Sequence, residues 1–153
     1  MSEARLLCTF TLDDRLFGVD VRRVQEVLRK QEMTRIPLAP RYIRGLINLR
    51  GQIVMAIDLR RCLELGDTPL DSDAMSLVLR ADDGPISFLV DKIHDVVSVD
   101  DSLFEPPPPN LRGALRQMIQ GSYALPDRLL LALNAETVLS LIDPAETSSP
   151  RPI

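Results

Sequence analysis

The stretch Ile36–Arg61, IPLAPRYIRGLINLRGQIVMAIDLRR, is the part of this chain from which the rest is read. A rigid Ile36-Pro37-Leu38-Ala39-Pro40 corner leads to Gly45 and a short apolar strand, Leu46–Leu49. Arg50-Gly51 turns the chain, Gly51 supplying positive φ, and Gln52–Ile57 returns as a second apolar strand. Two apolar strands about a glycine-containing turn read as a hairpin. Asp58 ends the second strand, and its carboxylate is placed to cap a helical turn at Leu59–Leu63.

Toward the N-terminus, Leu6, Cys8, Phe10 and Leu12 alternate with Leu7, Thr9 and Thr11, which predicts a strand. Asp13-Asp14 makes a turn and Leu16–Val19 returns as a second strand. Asp20 then has the character of a helix N-cap. Val21, Val24, Val27 and Leu28 share one face at helical spacing, with Arg22, Arg23, Gln25, Glu26 and Arg29 largely on the others. That spacing predicts a helix of about three turns, with Arg29 and Lys30 complementing its C-terminal dipole.

Toward the C-terminus, Gly66–Asp73 is polar and turn-rich and reads as a connection between two lobes. Ala74–Ala81 and Ile86–Val90 are strands around an Asp82-Asp83-Gly84-Pro85 turn, and apolar residues continue through Ile93, Val96, Val97 and Val99. Pro106–Pro109 is an extended polyproline run, read as a stiff connector. Met118–Ala124 and Leu129–Leu133 form another hairpin around Leu125–Arg128, after which Asn134 caps a helix, Ala135–Ile142, stopped by Pro144. Residues 143–153 are expected to be a disordered tail.

The halves echo each other. Phe17, Val19 and Asp20 recur as Phe88, Val90 and Asp91 at one constant offset, and Gly45, Asp58 and Leu63 recur as Gly121, Asn134 and Leu139 at another. In both halves a proline corner precedes the second hairpin. About five short strands in each half make a sheet with little burial and open edges, and closure into a barrel relieves both. The expected fold class is therefore mainly all-β: two five-stranded barrel lobes packed around a shared core, with short helices. The lobe boundary is expected near residues 66–85, with an N-terminal strand able to cross over.

Composition narrows the function. Of 153 residues, 45% are apolar and 26% charged, as in an ordinary globular domain, and the core must come from Leu, Ile and Val because aromatics are only 4%. A net charge of −4, with two Tyr and four Phe, is a poor match to a nucleic-acid-binding strand face, so no nucleic-acid partner is expected. Cys8 and Cys62 lack metal-ligand spacing, so no metal or cofactor is expected. No run approaches the length of a membrane span or a signal peptide, which points to the cytoplasm and to no direct membrane insertion. His94 beside Asp95 suggests acid–base chemistry only superficially: successive strand residues face opposite ways, and no nucleophile elbow or phosphate loop accompanies them. No catalytic residue is assigned.

Together, Val24-Gln25-Glu26-Val27, Ile36-Pro37-x-x-Pro40, Ile43-x-Gly45-x-x-Asn48-Leu49-Arg50-Gly51, Ile57-Asp58-Leu59-Arg60, Leu89-Val90-Asp91-x-Ile93-x-Asp95-Val96 and the closing Leu129–Leu139 segment resemble the CheW family of chemotaxis coupling proteins over residues 5–142. The resemblance implies one CheW-like domain, residues 1–142, made of two SH3-like barrels. It implies a non-enzymatic adaptor, cytoplasmic at the inner face of the membrane. Its partners would be the cytoplasmic tip of a methyl-accepting chemoreceptor and the regulatory domain of the histidine kinase CheA, with pilus motility or another receptor–kinase pathway as the alternative setting. Met55 stands where the family usually has proline and Ser87 where it often has glycine.

The same resemblance assigns receptor binding to Val24, Glu26, Val27, Ile43, Leu46, Asn48 and Arg50. By the residues alone, Arg50 and Gly51 could simply make a turn, and Val24, Val27, Ile43 and Leu46 could be core or could line a groove for a receptor helix. Glu26 by the residues alone reads as a solvated carboxylate on the polar side of the expected helix; the resemblance makes it a receptor contact able to pair with Arg50 across that groove. Gly45 and Gly51 are assigned to structural turns. Kinase contacts are left to the candidates Phe88, Val96 and Val97.

Overall fold

The computed structural model describes residues 4–29, 31–66 and 74–141, so the expected tail and most of the expected connection at 66–73 lie outside the described residues. The chain begins with a hairpin, β1 (Ala4–Leu12) and β2 (Arg15–Asp20). The helix expected from Val21 is not formed. Asp20 Oδ1 accepts from Arg22 N at 2.9 Å, but what it caps is a single 3-10 turn, Val21–Arg23, and Val24–Leu28 is a strand, β3. Val21, Val24 and Val27 are β-branched and suit a pleated surface. The edge of β6 (Met75–Leu79) also supplies β3 with ladder partners, whereas a short helix would depend on packing alone.

The hairpin read from the quoted stretch is β4 (Ile43–Leu49) and β5 (Gln52–Asp58), followed by α1 (Leu59–Cys62). Arg50 and Gly51 at its tip have φ of 52° and 86°, the two successive positive values of a primed hairpin turn. Asn48 Oδ1 steadies the turn by accepting from Gly51 N at 2.8 Å. Gly45 is not in a turn; it lies inside β4, at a register shift. After β6 come β7 (Ile86–Val90), β8 (Lys92–Asp100), α2 (Gly113–Met118), β9 (Ile119–Ala124), β10 (Leu129–Leu133) and α3 (Ala135–Leu141). Helix α2 had no counterpart in the sequence reading.

The strands form two five-stranded sheets, ordered β8-β1-β2-β10-β9 and β3-β6-β7-β5-β4. Moving each strand five places along the chain turns one order into the other, so the repeat is a repeat of topology. The chain changes sheet at Val21–Arg23 and again at Asp91, not within the boundary expected near 66–85; β5, β6 and β7 all belong to one sheet. The two halves have in effect exchanged their first hairpins. Each exchanged hairpin docks through a parallel pair: Phe17 opposite Leu131 on β2·β10, and Phe88 opposite Ile57 on β7·β5.

The two glycines that mark the repeat explain themselves. In each lobe the segment just before the prolines crosses the hairpin: Thr34 and Leu46 exchange backbone hydrogen bonds at 2.8 Å, and Glu105 and Ser122 do so at 2.9 Å. A Cβ on Gly45 would stand 2.6 Å from Thr34 O, and one on Gly121 would stand 2.3 Å from Glu105 O, so only glycine admits the crossing strand.

Three apolar clusters result. Leu7, Leu16, Val99, Tyr123, Leu130 and Ala132 fill one barrel; Ile47, Leu49, Val54, Ala56, Val78 and Leu89 fill the other. The largest cluster lies between them and takes Phe10, Phe17, Phe88, Leu77, Leu79, Leu131 and Leu133 from both sheets. Phe10 and Phe17 stack there with centroids 5.7 Å apart. Cys8 and Cys62 are buried thiols in this shared core, and desolvation pushes Cys62 up to about 12, so it stays neutral and unreactive at ordinary pH. Ser87 Oγ is buried in the second barrel with no hydrogen-bond partner among the described residues.

Candidate functional site

Strands β3 and β4 are the two edges of the second sheet, and the barrel must close between them. Thr34 closes one part of the seam by pairing with Leu46. A forked ion pair closes another. Arg50 Nη1 donates to Glu26 Oε2 at 2.8 Å and Arg50 Nη2 donates to Glu26 Oε1 at 2.7 Å, joining the β4–β5 turn to β3. Glu26 stands opposite Val78, a residue of the barrel interior, so its carboxylate lies at the barrel mouth with 18% of its side chain exposed. Arg50 lies over it, 73% exposed. The guanidinium hydrogen bonds hold the Glu26 carboxyl below its usual range, and the carboxylate raises Arg50 above its own. Arg50 holds a left-handed backbone, φ 52°, and its side chain reaches across the seam to β3.

Beside the seam lies a groove of about 550 Å³. Its floor is the outward row of the hairpin, Leu46, Ile53 and Met55, continued by Ile86 of β7 and Leu139 of α3. Leu46 pairs with Met55, and Met55 pairs in turn with Ile86, so three adjacent strands present one apolar strip. One wall is Arg23, ion-paired to Glu136 of α3. Arg23 Nη1 also donates to Arg80 O at 3.2 Å, at the root of the β6–β7 turn, which continues the rim with Asp82 and Asp83 exposed. Ile53 is 59% exposed, so an uncovered aliphatic side chain sits in this groove.

Buried charge holds the hairpin from behind. Asp58 is fully buried, accepts from Arg44 Nη1 at 3.1 Å and caps α1 through Arg61 N at 3.4 Å. Arg60, two residues on, forms a forked pair with Asp91 at the second crossover between sheets, its Nε donating at 2.8 Å. Asp13 N also donates to Asp91 Oδ2, at 2.9 Å, so Asp91 ties the two lobes together. The hairpin that carries Arg50 and Leu46 is thus fixed to both lobes.

The residues assigned from the sequence divide. Glu26 and Arg50 meet, although 24 positions apart. Leu46 lines the groove, and Val24 is half-buried against the shared core one residue from the groove wall. Val27 is exposed on β3. Asn48 is exposed and serves the turn. Ile43 and Phe88 are buried in the shared core, because β4 and β7 turn those positions toward the other lobe; neither is available for contact. Val96 is exposed on β8, while Val97 packs against the interior of the first barrel. Ile53 and Asp82-Asp83 were not assigned to any site from sequence. The alternation of Ile53 and Met55 with Val54 and Ala56 is the signal that marks an outward apolar row. His94 Nε2 lies 3.2 Å from Thr11 Oγ1 on an exposed strand, and Asp95 uses its carbonyl, not its carboxylate, to accept from Thr9 Oγ1. Among the described residues, no helix is long and apolar enough to cross a membrane.

A family described as CheW-like domain matches residues 6–143 of the chain. A chemotaxis protein CheW from Klebsiella aerogenes is 32% identical over 131 residues, covering 86% of this chain and 79% of that one. The crystal structure of the scaffolding protein TtCheW from Thermoanaerobacter tengcongensis superposes with a TM-score of 0.77 at 27% identity, covering 89% of this chain and 88% of that one. Protein PilI of Pseudomonas aeruginosa is 26% identical over 114 residues, 74% of this chain and 64% of that one.

Proposed function

The chain belongs to the CheW-like domain family, a family of scaffold and adaptor proteins, and from that premise we propose that it is a non-enzymatic adaptor coupling chemoreceptor cytoplasmic tips to the regulatory domain of the histidine kinase CheA. The observation that carries the reading is the forked Arg50–Glu26 pair at the barrel seam, set beside an uncovered apolar groove. A polar clamp next to an apolar strip is the form a surface takes when it receives an amphipathic helix. Val24, Val27 and Leu46 flank that surface, and Arg50 offers donors beyond the two it spends on Glu26.

The mechanism is geometric. The exchanged hairpins and the Asp91 ties make the two lobes one body, so a partner held at the seam of one barrel is fixed relative to a partner held on the other. Val96, exposed on β8 of the first sheet, is the remaining candidate for kinase contact. Small interfaces of this kind gain strength through repetition in an array rather than through single affinities. The protein would then work in the cytoplasm, held at the inner membrane face by its receptors.

A pull-down of the kinase regulatory domain and a receptor tip fragment tests this, with Arg50→Ala and Arg50→Lys as variants. The native chain captures both partners; Arg50→Ala loses the receptor and keeps the kinase; Arg50→Lys, which retains charge without the fork, does not restore it. Capture of neither partner by the native chain refutes the reading. The similarity to PilI supports a second setting, a receptor–kinase pathway outside chemotaxis, with the same two surfaces. Co-purification from the native cell, followed by identification of the bound kinase, separates the two.

A further inference from the structure

The groove carries information about its occupant that the ion pair does not. Its floor strands leave no backbone to offer: β5 is paired on both sides, by β4 and β7, and the outer edge of β4 is taken at Leu46 by Thr34. A ligand entering there adds no strand to the sheet, so it must arrive with its own backbone hydrogen bonds satisfied, which favours a helix over an extended peptide.

Charge then selects among helices. Glu136 is answered by Arg23 at one wall. Asp82 and Asp83, in the β6–β7 turn that lines the groove with Ile53 and Ile86, are exposed, and neither side chain has an ion-pair or hydrogen-bond partner among the described residues. The Gly84-Pro85 end of the turn holds them in place, with Gly84 N donating to Ala81 O at 3.1 Å. The rim therefore carries two unpaired negative charges along an apolar strip of which Ile53 is exposed and Leu46, Met55 and Ile86 are half-buried.

We infer that the groove takes an amphipathic α-helix whose apolar stripe is flanked on one side by Lys or Arg, and that Asp82 and Asp83 select it against helices with acidic flanks. The inference rests on the adaptor reading for the identity of the protein that brings the helix, and goes beyond it in naming the charge pattern and the residues that read it. Leu46, Ile53, Met55, Ile86 and Leu139 supply contact area that does not discriminate, and the two aspartates supply the discrimination.

Two synthetic helices with the same Leu stripe, one flanked by Lys and Arg and one by Glu, test it by fluorescence anisotropy against the whole chain. The basic helix is expected to bind about tenfold more tightly at low salt, the advantage expected of two exposed charge pairs. The preference disappears in an Asp82→Asn/Asp83→Asn double variant and shrinks in high salt, while Ile53→Glu weakens both helices. Equal binding of the two helices, binding of neither, or a preference that survives the double variant overturns the inference. So does self-association of the chain that Ile53→Glu abolishes, since the groove would then belong to a second copy. The pull-down with Arg50→Ala keeps the two readings apart. A chain that bridges receptor and kinase but shows no charge preference loses this inference and retains the adaptor function.

Discussion

Ser87→Ala should make this protein more stable, which is the unusual sign for a substitution at a fully buried site. Ser87 lies in the middle of β7, opposite Val78 on one side and Ala56 on the other, and both neighbours belong to the apolar interior of the second barrel. Its hydroxyl has left water and found no partner among the described residues. A buried polar group in that condition costs about 1–3 kcal/mol. Removing the oxygen leaves a gap smaller than a methyl group, which costs less than about 1 kcal/mol. The difference is a gain of about 1 kcal/mol, or roughly 3 °C in Tm for a domain of this size. Urea unfolding followed by circular dichroism measures it: the midpoint moves up and the slope stays the same. A loss of stability would refute the reasoning, because it would mean that the hydroxyl is satisfied inside the barrel. Ser87→Thr provides the complementary check. It keeps the hydroxyl and adds a methyl group to a filled interior, and it is expected to destabilise by about 1–3 kcal/mol.

Three further outcomes follow from the geometry. Gly45→Ala and Gly121→Ala should each destabilise by about 1–3 kcal/mol, since the new Cβ meets a crossing carbonyl in both lobes. Gly51→Ala, with nothing within 4 Å and only its φ of 86° at stake, costs about 1–2 kcal/mol, and chemical denaturation ranks the three. The Glu26 carboxyl, held low by Arg50, titrates below the usual carboxylate range. Its contribution to seam closure is present at neutral pH and is lost as pH falls from the ordinary carboxylate pKa through the lowered one. Carbon-detected NMR of Glu26 should show its midpoint returning upward in Arg50→Ala; an unchanged midpoint would mean that the fork does not persist in solution. Finally, a chain cut within residues 67–73 should reassemble from its two fragments, because each sheet takes strands from both. Each fragment alone should lack a cooperative unfolding transition, and a fragment that folds alone would contradict the exchange.

Much of this architecture was legible from local chemistry. The Arg50-Gly51 turn, the Asp58 cap, the alternation of β1 and the apolar runs of β5 and β7 depend on residues within a few positions of each other, and such signals survive in a linear reading. The segment Val21–Leu28 misled because its valines fit a helical face and a strand equally well, and a distant edge, β6, decided between them. Phe88 and Ile43 misled for a related reason. An apolar residue on a strand can face a partner protein or the other lobe, and only the position of the second barrel tells which.

The amino-acid sequence by itself determined the strand-rich class, the two-fold repetition, the hairpin tip carrying Arg50 and the family to which the chain belongs, since all of these rest on spacing and residue type. Tertiary structure alone decided that the halves exchange hairpins, that Glu26 and Arg50 meet across a barrel seam, and that Ile53, Met55 and Asp82-Asp83 border one groove. The physical reason is that pairing between strands far apart in the chain is set by closing two barrels on one shared apolar core. That closure is a property of the whole fold, which no window of sequence contains.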